Sequence, residues 1–168
     1  MTIAEFDQSN NEEKKAALSK CCGSSAWVNQ MLTEFPMEDL VELLEAAEEK
    51  WYQCSEADWL EAFTHHPKIG DVDSLKNKFA STADWAADEQ SSISQTSNEI
   101  LEALVKGNEL YLDKFGYIFI VFATGKTAAE MLHLLEERLT NEPAVELKIA
   151  MEEQNKITKL RLEKLFIS

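Results

Sequence analysis

Positive charge is scarce in this chain. Sixteen lysines and arginines stand against 31 aspartates and glutamates, a formal net charge of −15. Such a surface repels phosphate backbones and anionic lipid, so neither nucleic acid nor membrane is an expected partner. An anionic small molecule can bind only where a local Arg or Lys reverses the field. Cysteine is nearly missing as well. Cys21, Cys22 and Cys54 make an odd count, two of them adjacent, with no CxxC or mixed Cys/His spacing. This pattern argues against a disulfide framework or a thiolate metal site and for buried, reduced thiols. No apolar run approaches the length of a membrane span, and Met1 to Asn11 lacks the basic and apolar regions of an export signal. The cytoplasm is the expected location. No internal repeat, low-complexity tract or linker divides the 168 residues. One domain over 1–168 is expected, with 1–18 a less ordered or peripheral segment.

What the chain does hold is helical periodicity. Trp27, Val28, Met31, Leu32 and Phe35 follow Gly23-Ser24-Ser25, a helix-start signal. Met37, Leu40, Val41, Leu44, Ala47 and Trp51 line one face of a second helix, with Pro36 near its start. Ser55-x-x-Asp58 reads as a capping box ahead of Trp59, Leu60 and Phe63. Weaker patterns run from Leu75 to Phe79 and from Ala83 to Ile93. A long amphipathic stretch then places Ile100, Leu101, Leu104, Tyr111, Leu112 and Phe115 on one face and ends at Gly116, suited to a C-cap. Thr127-x-x-Glu130 caps a helix bearing Met131, Leu132, Leu135 and Leu139. Pro143 opens the last helix, through Leu147, Ala150, Met151, Ile157, Leu160 and Leu165.

One segment departs from this period. Tyr117-Ile118-Phe119-Ile120-Val121-Phe122-Ala123 is uniformly apolar, aromatic and β-branched, and the chain offers no second strand to pair with it. The expected fold is therefore an all-α, single-domain helical bundle with one extended apolar segment crossing the core. The backbone N–H and C=O groups of that segment need partners, and a polar ligand could supply some of them.

Four groups of residues could carry chemistry. In Phe63-Thr64-His65-His66-Pro67-Lys68-Ile69-Gly70, Pro67 holds His66 out of helical geometry, and Gly70 permits a sharp turn. A rigid loop that displays an imidazole can present a proton donor or acceptor near neutral pH; the plainer alternative is a helix end with a histidine at it. Glu89-Gln90 sets a carboxylate beside an amide that both donates and accepts, a pairing suited to an imide or urea-like ring, or simply an exposed helix turn. Arg161, flanked by Leu160 and Leu162, can grip a carboxylate bidentately or snorkel to the surface. Thr124-Gly125-Lys126-Thr127 resembles the end of a P-loop. The first glycine of that motif is missing, its place being taken by Ile120, so a helix N-terminus capped by Thr127 is the better reading. No HExxH or equivalent is present, adjacent His65 and His66 cannot readily aim at one ion, and His133 reads as a surface or boundary histidine. A metal site is not expected.

Together these residues resemble the 2-oxo-4-hydroxy-4-carboxy-5-ureidoimidazoline (OHCU) decarboxylase family. The likeness runs from Cys21-Cys22-Gly23-Ser24-Ser25-Ala26-Trp27 to Leu165. It is carried by Ala62-Phe63 with His66-Pro67-Lys68-Ile69-Gly70, by Glu89-Gln90, and by Tyr111-x-x-Lys114-Phe115-Gly116-Tyr117-Ile118-Phe119-Ile120. Arg138-Leu139-x-Asn141 and Lys156-Ile157-x-x-Leu160-Arg161-Leu162 complete it. The resemblance implies an all-α enzyme without cofactor or metal, often dimeric, that converts OHCU to (S)-allantoin in urate breakdown. It implies His66 as catalytic acid/base and Glu89 beside it, fixing its tautomer or engaging the substrate hydroxyl. Pro67, Gln90 and the backbone of Ile118, Phe119 and Ile120 are the implied substrate contacts, and Arg161 the group that holds anionic or carbonyl oxygens. The family often has serine where this chain has Ala86; that hydrogen bond is missing here or replaced by water, through Ser91 or Ser92. A hydroxyisourate hydrolase is a further candidate partner. The competing classes are a helical interaction module, which needs no His-Pro loop, and a hydrolase acting on a neighbouring ureide, which needs an activated water.

Overall fold

Polar side chains set the helix boundaries. A computed structural model describes residues 1–66 and 91–166, the side chains of 91–97 excepted. Among the described residues there are eight helices and no strand: α1 (Ile3–Gln8), α2 (Asn11–Cys21), α3 (Ser25–Leu32), α4 (Leu40–Gln53), α5 (Glu56–Phe63), α6 (Ser91–Phe115), α7 (Ala128–Leu139) and α8 (Pro143–Phe166). The all-α expectation is met. Ser55 and Asp58 form both halves of the capping box that opens α5, and Thr127 accepts from Glu130 N at the start of α7. Gly116, just past α6, has φ +83°, a conformation that costs glycine nothing. The patterns over Leu75–Phe79 and before Ser91 lie outside the described residues.

The chain groups into two compact units, residues 1–66 with 149–168, and residues 67–148. In the first unit Leu18, Trp27, Met31, Leu43, Trp51 and Phe63 are fully buried, each worth about 1.5–3 kcal/mol of apolar burial. Its buried indoles find acceptors, as rings of that kind must. Trp27 Nε1–H donates to Ala47 O (3.0 Å), and Trp51 Nε1–H to Met151 O (2.8 Å). Residues 1–18, expected to be less ordered or peripheral, supply α1 and most of α2. Phe6 is buried, its ring centroid 5.1 Å from that of Phe35 and 5.2 Å from that of Phe166. The face of α4 also differs from the sequence expectation. Asp39, accepting from Glu42 N, starts the helix rather than Pro36, and its buried stripe is Leu43, Ala47 and Trp51, with Val41 63% exposed.

In the second unit α6 packs against α7. A side chain at Gly107 would put its Cβ 2.6 Å from Leu135 Cδ2, so glycine is what permits that approach. Leu101, Leu104, Tyr111, Met131 and Leu135 form one cluster with Phe119. Phe119 and Ile120 are buried in a stretch, 118–123, that is neither helix nor strand.

Candidate active site

The His65-His66 pair sits where α5 ends. His65 N donates to Ala62 O (3.1 Å) and His66 N to Phe63 O (3.4 Å), so the chain leaves the helix through a tightened turn. The last turn of α5 is pinned from the other side. Glu61 accepts from Ser25 N (2.7 Å) and Ser25 Oγ (2.8 Å), a carboxylate on the N-terminus of α3, where the helix dipole favours it. The two histidines then diverge. His65 is exposed, and its ring covers Gly23 so closely that a Cβ there would lie 2.4 Å from Cγ. His66 is half-buried, and its Nε2 meets Gln154 Oε1. Gln154 Nε2–H in turn donates to Thr158 Oγ1 (3.0 Å).

Arg161 lies one turn beyond Thr158 on α8. Its Nη1 approaches Lys20 O and Cys21 O, each at 3.4 Å, at the C-terminal end of α2. A cation there complements exposed helix carbonyls. Two long contacts from one nitrogen use one corner of a five-donor group. The three cysteines of this unit are buried and form no disulfide. Burial pushes the thiols of Cys21 and Cys54 up to about 11 and that of Cys22 up to about 12, the nearby Arg161 opposing the shift at Cys21. They are therefore protonated at neutral pH and unsuited to nucleophilic work.

In the second unit, a buried network fixes the carbonyl of Ile120. Arg138 Nη1–H donates to Ile120 O (2.6 Å), and its Nε and Nη2 donate to the Glu146 carboxylate (2.9 and 2.5 Å to Oε2). Glu146, fully buried, also accepts from Asn141 (3.1 Å) and from the Tyr111 hydroxyl. Burial, with the hydrogen bond to Glu146 second, pushes the Tyr111 hydroxyl well above its usual range. The Arg138 guanidinium stacks 4.5 Å from the Phe119 ring centroid. The signal for this cluster was available: Arg138 follows Met131 and Leu135 at helical spacing and so falls on the apolar face of α7.

Two other sequence readings find their places here. Lys126 folds back to donate to Phe122 O (2.8 Å), which suits a turn before α7 rather than a phosphate cradle. His133 is exposed and pairs with Glu137 (2.9 Å). Among the described residues no three His, Cys, Asp or Glu side chains gather as a metal site, and no helix is long and apolar enough to cross a membrane. Pro67, Ala86, Glu89 and Gln90 lie outside the described residues, as do the side chains of Ser91 and Ser92.

A family model described as OHCU decarboxylase matches residues 7–163, and this chain belongs to that family. It is 45% identical over 149 residues to the uric acid degradation bifunctional protein TTL of Arabidopsis thaliana, covering 87% of this chain and 45% of that protein. It is 24% identical over 168 residues to the 2-oxo-4-hydroxy-4-carboxy-5-ureidoimidazoline decarboxylase of Halalkalicoccus jeotgali, covering 99% of this chain and 93% of that one. The chain thus spans less than half the length of the Arabidopsis relative. A crystal structure of OHCU decarboxylase in the presence of (S)-allantoin is 42% identical and matches with TM-score 0.72, over 94% of this chain and 99% of that one.

Proposed function

We propose that this chain decarboxylates OHCU to (S)-allantoin without a cofactor. The observation that carries the reading is the family match over residues 7–163, with the half-buried His66 seated on a chain of polar side chains in the matched segment. The substrate's own chemistry makes the step feasible. The bond to CO2 breaks at a ring carbon beside C=N, its electron pair passes into the ring, and the ring nitrogen takes a proton. The hydroxyl then becomes the carbonyl, and one proton is added to the ureido-bearing carbon. The substrate is its own electron sink, the task otherwise given to pyridoxal or thiamine. What remains is to orient the carboxylate, stabilise charge on the ring and deliver a proton to one face. His66 is the proposed proton donor, Glu89 its neighbour, and Pro67, Gln90 and the backbone of Ile118, Phe119 and Ile120 the proposed contacts. The direct test is conversion of freshly generated OHCU by the purified chain.

Arg161 is the proposed anchor for anionic or carbonyl oxygens. Arg161→Ala is expected to lower kcat/KM by ~10–100-fold, the scale of a lost charged hydrogen bond. Because Arg161 also approaches the carbonyls of Lys20 and Cys21, thermal melting of the same variant separates the two roles. Wild-type kinetics would remove it from the site. A cytoplasmic homodimer is also proposed, on the family likeness; sedimentation showing only a 19.1 kDa species at micromolar concentration would count against it. Contact with a hydroxyisourate hydrolase, which co-sedimentation would detect, draws support from the Arabidopsis relative, a bifunctional uric acid degradation protein of which the matched segment is a part.

A further inference from the structure

The buried face of α8 is polar where an ordinary core would not be. In steps of four it presents Glu146, Ala150, Gln154, Thr158 and Leu162, none more than 2% exposed. A buried amide is tolerated only when its polar atoms are bonded, and Gln154 bonds His66 with one end and Thr158 with the other. The two ends of an amide have the same shape, so what lies behind it decides which end faces the imidazole. The Thr158 hydroxyl lies behind the amide, 3.0 Å from Gln154 Nε2. Its oxygen accepts from Gln154 Nε2–H, which turns Oε1 toward His66. A carbonyl oxygen cannot donate. The Nε2 of His66 must carry a proton in the neutral ring as well as in the cation, and Nδ1 is the nitrogen whose protonation changes.

We propose that Gln154, oriented by Thr158, is a positioning residue that fixes the Nε2–H tautomer of His66 for proton transfer to the substrate. This rests on the reading of His66 as the proton-transfer group. Placing the orienting amide on α8 and the imidazole at the end of α5 joins two helices at the ring, so tautomer and ring direction are set together. The arrangement uses a neutral acceptor. A carboxylate in that place would favour the imidazolium instead.

The test uses the full chain with 15N-labelled histidine, in which long-range 1H–15N spectra distinguish Nε2–H from Nδ1–H rings. The His66 signal is the one lost in His66→Asn. Wild type is expected to show the Nε2–H tautomer. Gln154→Met, which keeps the length and loses the amide, is expected to give mixed tautomers and a kcat lower by about 10-fold, the equivalent of one orienting hydrogen bond, with KM little changed. Gln154→Glu, which sets a carboxylate against the ring, is expected to show both nitrogens protonated, the imidazolium, rather than a neutral tautomer. Thr158→Val, which does not touch His66, is expected to mix the tautomers through the amide alone, and it carries the test if Gln154→Met does not fold. A folded Gln154→Met or Thr158→Val chain that keeps Nε2–H, or that loses it at wild-type kcat, would overturn the proposal. Wild-type rates in His66→Asn would instead overturn the reading on which it rests, while the spectra would still report the tautomer.

Discussion

His66→Asn is expected to fold and to lose at least ~100-fold in rate, the scale of removing a positioned general acid or base. His65→Asn is expected to lose little. The two residues are neighbours with the same chemistry, so the contrast tests position alone. His66 is half-buried with its Nε2 on Gln154, while His65 is exposed and lies against Gly23. His65 is thus a packing residue of the turn, and its loss belongs in the melting curve rather than in kcat. Asparagine keeps a polar side chain of similar reach at both positions, and circular-dichroism melting provides the folding control. A folded His66→Asn chain at wild-type rate, or a folded but inactive His65→Asn chain, would reverse the assignment.

Glu146→Ala is expected to cost about 3–5 kcal/mol, because it leaves the Arg138 guanidinium buried without its counter-charge. Glu146 is fully buried and Arg138 nearly so, and the same carboxylate accepts from Asn141 and Tyr111. At this chain length the loss corresponds to a fall in Tm on the order of 10 °C. Glu137→Ala, which breaks an exposed pair with His133, is expected to change stability by less than about 0.5 kcal/mol. The double substitution Arg138→Met with Glu146→Leu is expected to cost less than the sum of its parts, since it removes both charges together. A Glu146→Ala melting curve within a degree or two of wild type would mean that the network does not hold Ile120 as described.

The sequence was legible wherever one side chain decides a boundary. Ser55, Thr127, Gly116 and Pro143 each mark a helix end by a local rule that needs no tertiary context. The break in helix at 118–123 was legible for the same kind of reason, as an apolar, β-branched run that departs from helical period. The α4 stripe was misread at Val41 because Pro36 is a plausible helix start and Asp39 a better one; the difference moves the apolar face to Leu43. The polar interior was the hardest part. Glu146, Gln154 and Thr158 look like ordinary helix-surface residues until the buried face of α8 is known, and Arg138 acquires a partner only when Glu146 is folded beside it. Local pattern specifies where a helix turns its apolar side. It does not specify which polar groups that side must also bury.

Freshly generated OHCU can be followed by circular dichroism with the purified chain after exhaustive dialysis against EDTA. A cofactor-independent decarboxylase is expected to form (S)-allantoin well above the uncatalysed rate and at the same rate with or without chelator. Racemic allantoin at the background rate, or turnover restored only by a stoichiometric metal, would contradict it.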